Sequence, residues 1–351
     1  MKARTSVPVS PRGGPGLWIS SATPPWNRHT GIVPHASPFP PRLAGRLFTL
    51  EQARAEGVSA SRLHAADVRP IARCLYAHGL DGPPCEAAVV AGLNLLHPTT
   101  CASHATAARL LGLYLPRRIA AETDIHLSRH RRLPPLDLRG IVNHRTPITA
   151  DDVLVLRAPP QAPPGSHLQV IAHERTWLEM AARLTVTDLV VMGDQLLRLP
   201  RPGLERRNAP LATRETIAAA IQEHPQTPGI GRVRAAFERM RVGADSPAET
   251  RLRLAISAAG LPEPELQVRL DPADRYSPAS DLGYRQAKVA LQYDGYHHRS
   301  PEQLAIDNRR DLAFTQAGWT YLKFDWQDAR TGFDRAIVLV RQALGASRGS
   351  A

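Results

Sequence analysis

Cysteine is scarce: the 351 residues hold only Cys74, Cys85 and Cys101. These form no C-x-x-C pair and are too few for a disulfide framework, so a reducing, cytoplasmic setting is expected. Lysine is nearly missing as well, since 41 of the 44 basic residues are arginine, and aromatics reach only 5%. No run approaches about 18 uninterrupted apolar residues, which excludes an expected transmembrane helix and a membrane partner. The N-terminus lacks the charged start and apolar stretch of a secretory signal. Nothing points to a small-molecule cofactor.

The composition that remains is globular, 43% hydrophobic and 22% charged. The length predicts two or three domains, each able to bury a core. The net charge of +12 is not spread evenly. Residues 245–351 balance at 14 basic and 14 acidic side chains, so residues 1–244 carry the whole excess. Such asymmetry points to a polyanionic partner for the first two-thirds of the chain. A GC-rich codon bias toward arginine explains the same count, so charge alone leaves both readings open.

Four segments follow from punctuation and charge. Residues 1–40 contain eight prolines and little periodicity, and are expected to be a disordered leader. Residues 41–82 read as helix, glycine turn, helix and strand. Thr49 and Gln52 make a capping box, Gly57 stops the first helix, and Ser59 or Ser61 caps a second. Val68–Tyr76 reads as a single wing strand ended by Gly79. This is a winged helix-turn-helix pattern, in which Ser59, Ser61, Arg62 and His64 would face the major groove of DNA. Arg69 and Arg73 would meet phosphates. An ordinary helical hairpin with solvated arginines fits the spacing equally well.

Residues 83–244 mix short strands and helices, with amphipathic helices expected over Ser103–Leu113 and Leu184–Leu197 and a helical-looking stretch over Ile230–Arg241. His97, Cys101 and His104, with Cys85 upstream, lack a standard zinc spacing, so a capping or core role for His104 is preferred. Arg117, Arg118, Arg129, Arg131 and Arg132 form a basic surface suited to phosphate or an acidic partner, and a merely solvated face fits them equally well.

Residues 245–351 carry the clearest chemistry. Ser246-Pro247-Ala248-Glu249 opens a helix with a cap, Pro at the first position and Glu at the third. A strand over Leu266–Leu270 and a hairpin through Asp281 and Lys288–Asp294 come next. A helix from Ser300 to Ala317, a strand over Trp319–Phe324 and a helix over Asp328–Leu344 complete an α/β core. Asp281 is expected opposite or diagonal to Leu291–Gln292. Asp281 and Asp294 then come within reach of one divalent cation, and two carboxylates, a backbone carbonyl and water suit Mg²⁺. A metal held this way activates water for phosphodiester cleavage. Glu249 also sits where a capping-box glutamate belongs, and Asp307 and Arg310 are spaced as an intrahelical pair.

Two resemblances add to this reading. FTLEQARAEGVS and the closing LYAHG, within Leu47–Gly79, resemble the N-terminal winged helix of AbiEi-type antitoxins. SHATAARLLGL and RTWLEMA resemble the middle region of the same antitoxin-like proteins. These type IV toxin–antitoxin and abortive-infection modules repress their own operon, which implies DNA and a cognate toxin as partners. In the C-terminal third, the DLGY string, VALQYDGYHH and DNRRDLAFTQAGW resemble endonuclease-like domains of the very-short-patch-repair type. Those belong to the PD-(D/E)xK superfamily, with a restriction-endonuclease-like α/β core.

By position, the resemblance implies Asp281 as a metal ligand and Glu249 as the acid of the first helix. It implies Asp294 and His298 as the acid and histidine after the core strand, and Asp307 and Arg310 as the charged, DNA-facing side of the next helix. Gln292 stands where such domains usually carry glutamate. The lysine of the superfamily string is replaced by Asp294, with Lys323 on the following strand as a substitute. The expectation is therefore a multidomain α/β protein that binds DNA and carries a Mg²⁺-dependent endonuclease-like domain. Its rival is an antitoxin-like repressor in which that fold is kept without catalysis.

Overall fold

The computed structural model describes residues 38–201, 203, 205–295 and 301–349. Nearly all of the proline-rich leader, and His298, lie outside the described residues. The described chain is mixed α/β and is built on three sheets.

The first sheet contains β1 (Arg46–Thr49), β2 (Val68–Ala72) and β3 (Leu75–His78), in the antiparallel order β1-β3-β2. Between β1 and β2 lie α1 (Leu50–Ala55) and the single-turn α2 (Ala60–Leu63). The capping box forms as expected: Gln52 N–H donates to Thr49 Oγ1 at 3.2 Å, and Gln52 Oε1 accepts from Thr49 N–H at 2.9 Å. The expected strand over 68–76 is instead a hairpin, reversing at Cys74 in the left-handed region (φ 64°). Pro70 has no N–H to give a ladder and lies on the edge strand β2, where none is required.

One face of this sheet packs Phe48 and Val68 against Ala53 of α1, Leu63 of α2 and Val58 between them. The other presents Leu47, Leu75 and Ala77 to α3 (Glu86–Leu96). Gly92 of α3 is required there, because a Cβ would lie 2.8 Å from the Leu75 side chain.

The second sheet has the order β6-β5-β4-β8-β7. Its strands are β4 (Thr100–Ala102), β5 (Ile125–His130), β6 (Ile141–Thr146), β7 (Val153–Arg157) and β8 (His167–Ile171). Six further helices complete this unit: α4 (His104–Leu110), α5 (Arg117–Ala120), α6 (His173–Glu179), α7 (Val186–Leu197), α8 (Arg214–Glu223) and α9 (Ile230–Phe237). The two amphipathic helices are present but shorter than the sequence suggests. Leu111 and Gly112 close α4, Gly112 with φ 65°, and Thr185 caps α7 by accepting from Asp188 N–H. Trp177, Leu189, Met192 and Leu196 centre the helical core.

The third unit runs α10 (Pro247–Ala258), β9 (Glu265–Arg269), β10 (Ala279–Tyr284), β11 (Val289–Asp294), α11 (Pro301–Gln316), β12 (Thr320–Asp325), α12 (Trp326–Arg330) and α13 (Asp334–Gly349). Its sheet order is β12-β11-β10-β9, with β11 and β12 parallel and the rest antiparallel. The single helix expected over 328–344 is two, because Gly332 and Phe333 adopt φ 70° and 66° between them. Leu252, Ile256, Leu282, Leu291 and Val340 fill one side of the sheet, while Ala290, Phe314 and Trp319 pack on the other.

No linker separates the second and third units along α10. Arg253, 1% exposed, donates to Asp194 of α7 at 2.8 Å and to Glu263 at 2.6 Å. Thr250 also donates to Asp194 at 2.8 Å, and Arg241 N–H at 2.7 Å. On the exposed side, Arg251 pairs with Asp188 at 2.7 Å. No described helix is long and apolar enough to cross a membrane.

Candidate functional site

The β10–β11 register pairs Leu282 with Leu291 and Gly283 with Ala290, so one step further it sets Asp281 opposite Gln292. Both side chains lie on the sheet face covered by α11. Gln292 Nε2 donates to Asp281 Oδ2 at 2.7 Å, and Tyr293 N–H donates to the same oxygen at 2.8 Å. Gln292 Oε1 accepts from Tyr321 of β12 at 3.3 Å, and the Tyr321 oxygen accepts from Arg310 Nε at 3.0 Å. A hydrogen-bond chain thus runs in one direction, from Arg310 through Tyr321 and Gln292 to Asp281. Its neighbours dictate which end of the Gln292 amide is oxygen.

Arg310 is flanked by Asp307 at 3.2 Å and Asp311 at 3.7 Å, and Lys323 pairs with Asp311. Lys323 is the register partner of Gln292 on the parallel strand β12. It therefore stands beside the site, with its charge already matched.

Glu249 reaches the same place from the first turn of α10. Its Oε2 accepts from Asp245 N–H at 2.9 Å, and Ser246 Oγ accepts from Glu249 N–H at 3.2 Å, so capping and site geometry coexist. Burial, and then the nearby Asp281 charge, push the Glu249 carboxyl up to about 7. Burial likewise raises Asp281 to about 6, against the lowering pull of the Tyr293 N–H, Gln292 and Arg310. Two buried acids within mutual repulsion hold protons tightly, and a cation relieves that repulsion. Asp294 lies one pleat beyond Gln292, in register with Asp325. Among the described residues, no three His, Cys, Asp or Glu side chains are grouped to hold a metal. The structure thus brings Asp281 together with Gln292 and Glu249, and sets Asp294 at the strand end.

The N-terminal residues are arranged unequally. Ser59 and Ser61 hydrogen-bond to each other at 3.0 Å, and His64 is exposed after α2. Arg62 forms a fork with Asp67 at 2.6 and 2.7 Å and stacks over Phe39, so its charge is internally matched. Arg69 donates to the Gly82 carbonyl, and Arg73 is exposed at the hairpin tip.

No protein-family model matches the chain, and no curated protein matches it.

The middle unit holds a cluster that spacing did not reveal. His104, His126 and His144 come from α4, β5 and β6. The His104 and His144 rings stack at 3.7 Å, and His126 Nδ1 lies 2.9 Å from His144 Nε2. Burial first, and then the neighbouring imidazoles, depress His104 to about 2 and His144 to about 4, so the rings are neutral. Glu179 Oε2 accepts from His104 N–H at 3.2 Å, and burial pushes this carboxyl up to about 7. Of the residues weighed for zinc, Cys85 is exposed ahead of α3 and His97 follows that helix, while Cys101 is buried with Sγ on the Ser128 carbonyl. His104 belongs to the three-histidine cluster instead. No local pattern marks this group, because only strand pairing and helix docking assemble it.

Proposed function

We propose that the chain is a DNA-associated protein whose C-terminal unit has the arrangement of a metal-dependent endonuclease-like domain. The observation that carries this is the pair of buried carboxyls, Glu249 in the first turn of α10 and Asp281 on β10, near enough that the Asp281 charge raises Glu249. The helix–three strands–helix–strand order of α10 to β12, with β11 and β12 parallel, supports the same reading.

Mg²⁺ fits the donor chemistry here: Glu249 and Asp281 would hold it, with Gln292 as a neutral third donor. Such an ion supplies an activated water and offsets charge at phosphorus. The chain's own residues would do the positioning. Arg310, held by Tyr321 and Asp307, lies beside Asp281 to face a phosphate, and Asp245 N–H fixes the Glu249 carboxylate.

A second reading is favoured by one observation. The Gln292 amide already satisfies Asp281 without any cation, which suits an antitoxin-like, non-catalytic repressor. Nicking of supercoiled plasmid in Mg²⁺ by wild type, Gln292→Glu and Gln292→Glu/Asp281→Asn separates the two. Cutting by Gln292→Glu that the added Asp281→Asn abolishes supports the endonuclease reading. If neither wild type nor Gln292→Glu cuts, and the chain shifts its own upstream DNA in a salt-dependent manner, the repressor reading replaces it.

A further inference from the structure

Arg129 and Arg145 lie near the ends of the parallel strands β5 and β6, and the register places them side by side. Neighbouring strands are about 4.8 Å apart, so two guanidinium groups start from adjacent positions on one face. Like charges in that relation repel unless an anion joins them. None does so here. Arg129 donates to the Pro134 carbonyl at 2.8 Å and to Thr99 Oγ1 at 3.1 Å, and its buried Nε has no partner. Arg145 donates to the Arg131 carbonyl at 2.6 Å. Neutral oxygens hold both side chains in place and leave their charge unmatched.

Arg131 and Arg132 follow directly and are exposed. Among the described residues, none of these four arginines pairs with a carboxylate, whereas Arg62, Arg109, Arg183, Arg198, Arg253 and Arg335 all do. The strand β6 is a sheet edge, and Arg131, Arg132 and Arg145 are exposed while Arg129 is half-buried. His97 reports the same local field: burial, and then Arg129, hold its imidazole below the usual value.

We propose that this end of the middle sheet binds the phosphate backbone of duplex DNA without reading bases. Guanidinium groups fixed by carbonyl oxygens are already oriented for phosphate, and their planar donors suit it better than lysine would. An acidic protein partner is disfavoured because its docking requires an apolar centre. None of the large exposed apolar side chains of the described residues comes from 125–146. The surface is built on β5 and β6, not on the strands that carry Asp281, and does not depend on cleavage.

Anisotropy titrations of a random-sequence duplex, in EDTA and from 0.05 to 0.3 M NaCl, test the proposal. Arg131→Gln/Arg132→Gln removes side chains that hold nothing else in place, so folding is unaffected. Its binding is expected to fall about 10- to 100-fold at 0.1 M salt, with the salt slope smaller by about one per arginine. Arg234→Gln/Arg239→Gln, two exposed arginines in and just after α9, is expected to leave both unchanged. Unchanged binding in the first variant, or no wild-type binding at 0.05 M, overturns the proposal. Equal capture of poly-glutamate, lost in the same variant, assigns the surface to an acidic protein and overturns it too. Failure of plasmid nicking with binding intact counts only against the nuclease reading.

Discussion

Gln292 donates to Asp281 and accepts from Tyr321, and the first of these bonds depends on its being an amide. A glutamate at 292 would set a second carboxylate at hydrogen-bond distance from the first. Gln292→Glu is therefore expected to be about 1–3 kcal/mol less stable than wild type in EDTA. Mg²⁺ at a hundred times its Kd should return about 2.7 kcal/mol to that variant and far less to wild type. Thermal melts with and without Mg²⁺ check this, and equal shifts in both proteins would refute it. Glu249 gives a second expectation. Its carboxyl is held up at about 7 against an ordinary 4.5, so the folded chain keeps a proton that the unfolded chain releases. Stability from this group is complete below about pH 4.5 and is lost as pH rises through 7. In EDTA, Glu249→Gln should exceed wild type by about 2–3 kcal/mol at pH 8 and converge with it below pH 5. A pH-independent gap in urea titrations would show that the carboxyl is not the cause.

At the scale of elements, the α7–α10 contact turns on a buried ion pair. Asp194→Asn leaves Arg253 charged and only partly matched in a dry site, which costs about 3–5 kcal/mol. Replacing both partners, Asp194→Leu/Arg253→Met, should recover much of that loss, because no buried charge then remains. Urea midpoints of the three proteins decide the matter, and a double variant as weak as the single would contradict it. Much of the local structure was legible beforehand. The Thr49–Gln52 box and the Ser246-Pro247 start are local signals, and the facing of Asp281 and Gln292 follows from strand alternation. The break at Gly332–Phe333 was not legible, since a phenylalanine in the left-handed region has no local signature. Tyr321 was missed for a different reason. Its contact with Gln292 depends on the parallel register of β11 with β12, which no spacing within either strand encodes.

For the whole molecule, the second and third units share a boundary that is itself packed. Trp177 is buried in the helical core of the second unit, and Trp319 packs on the sheet of the third. In the intact chain, hydrogen exchange of the amides around Trp177 and around Trp319 should report the same urea midpoint, because the Arg253–Asp194 contact couples the units. Midpoints that differ would show two independent transitions. Asp194→Asn is the change expected to split them. The charge excess has a matching distribution, lying in residues 1–244 while the acid pair sits in a neutral third.

Arg253 also bears on inheritance. It folds with the third unit, yet the carboxylate that buries it on α7 belongs to the second. A recombination event cutting at residue 245 would pass on a helix with an orphaned guanidinium and an unmatched Thr250 hydroxyl. A graft that carries α7 with this unit, or supplies an acid at the new junction, avoids both losses.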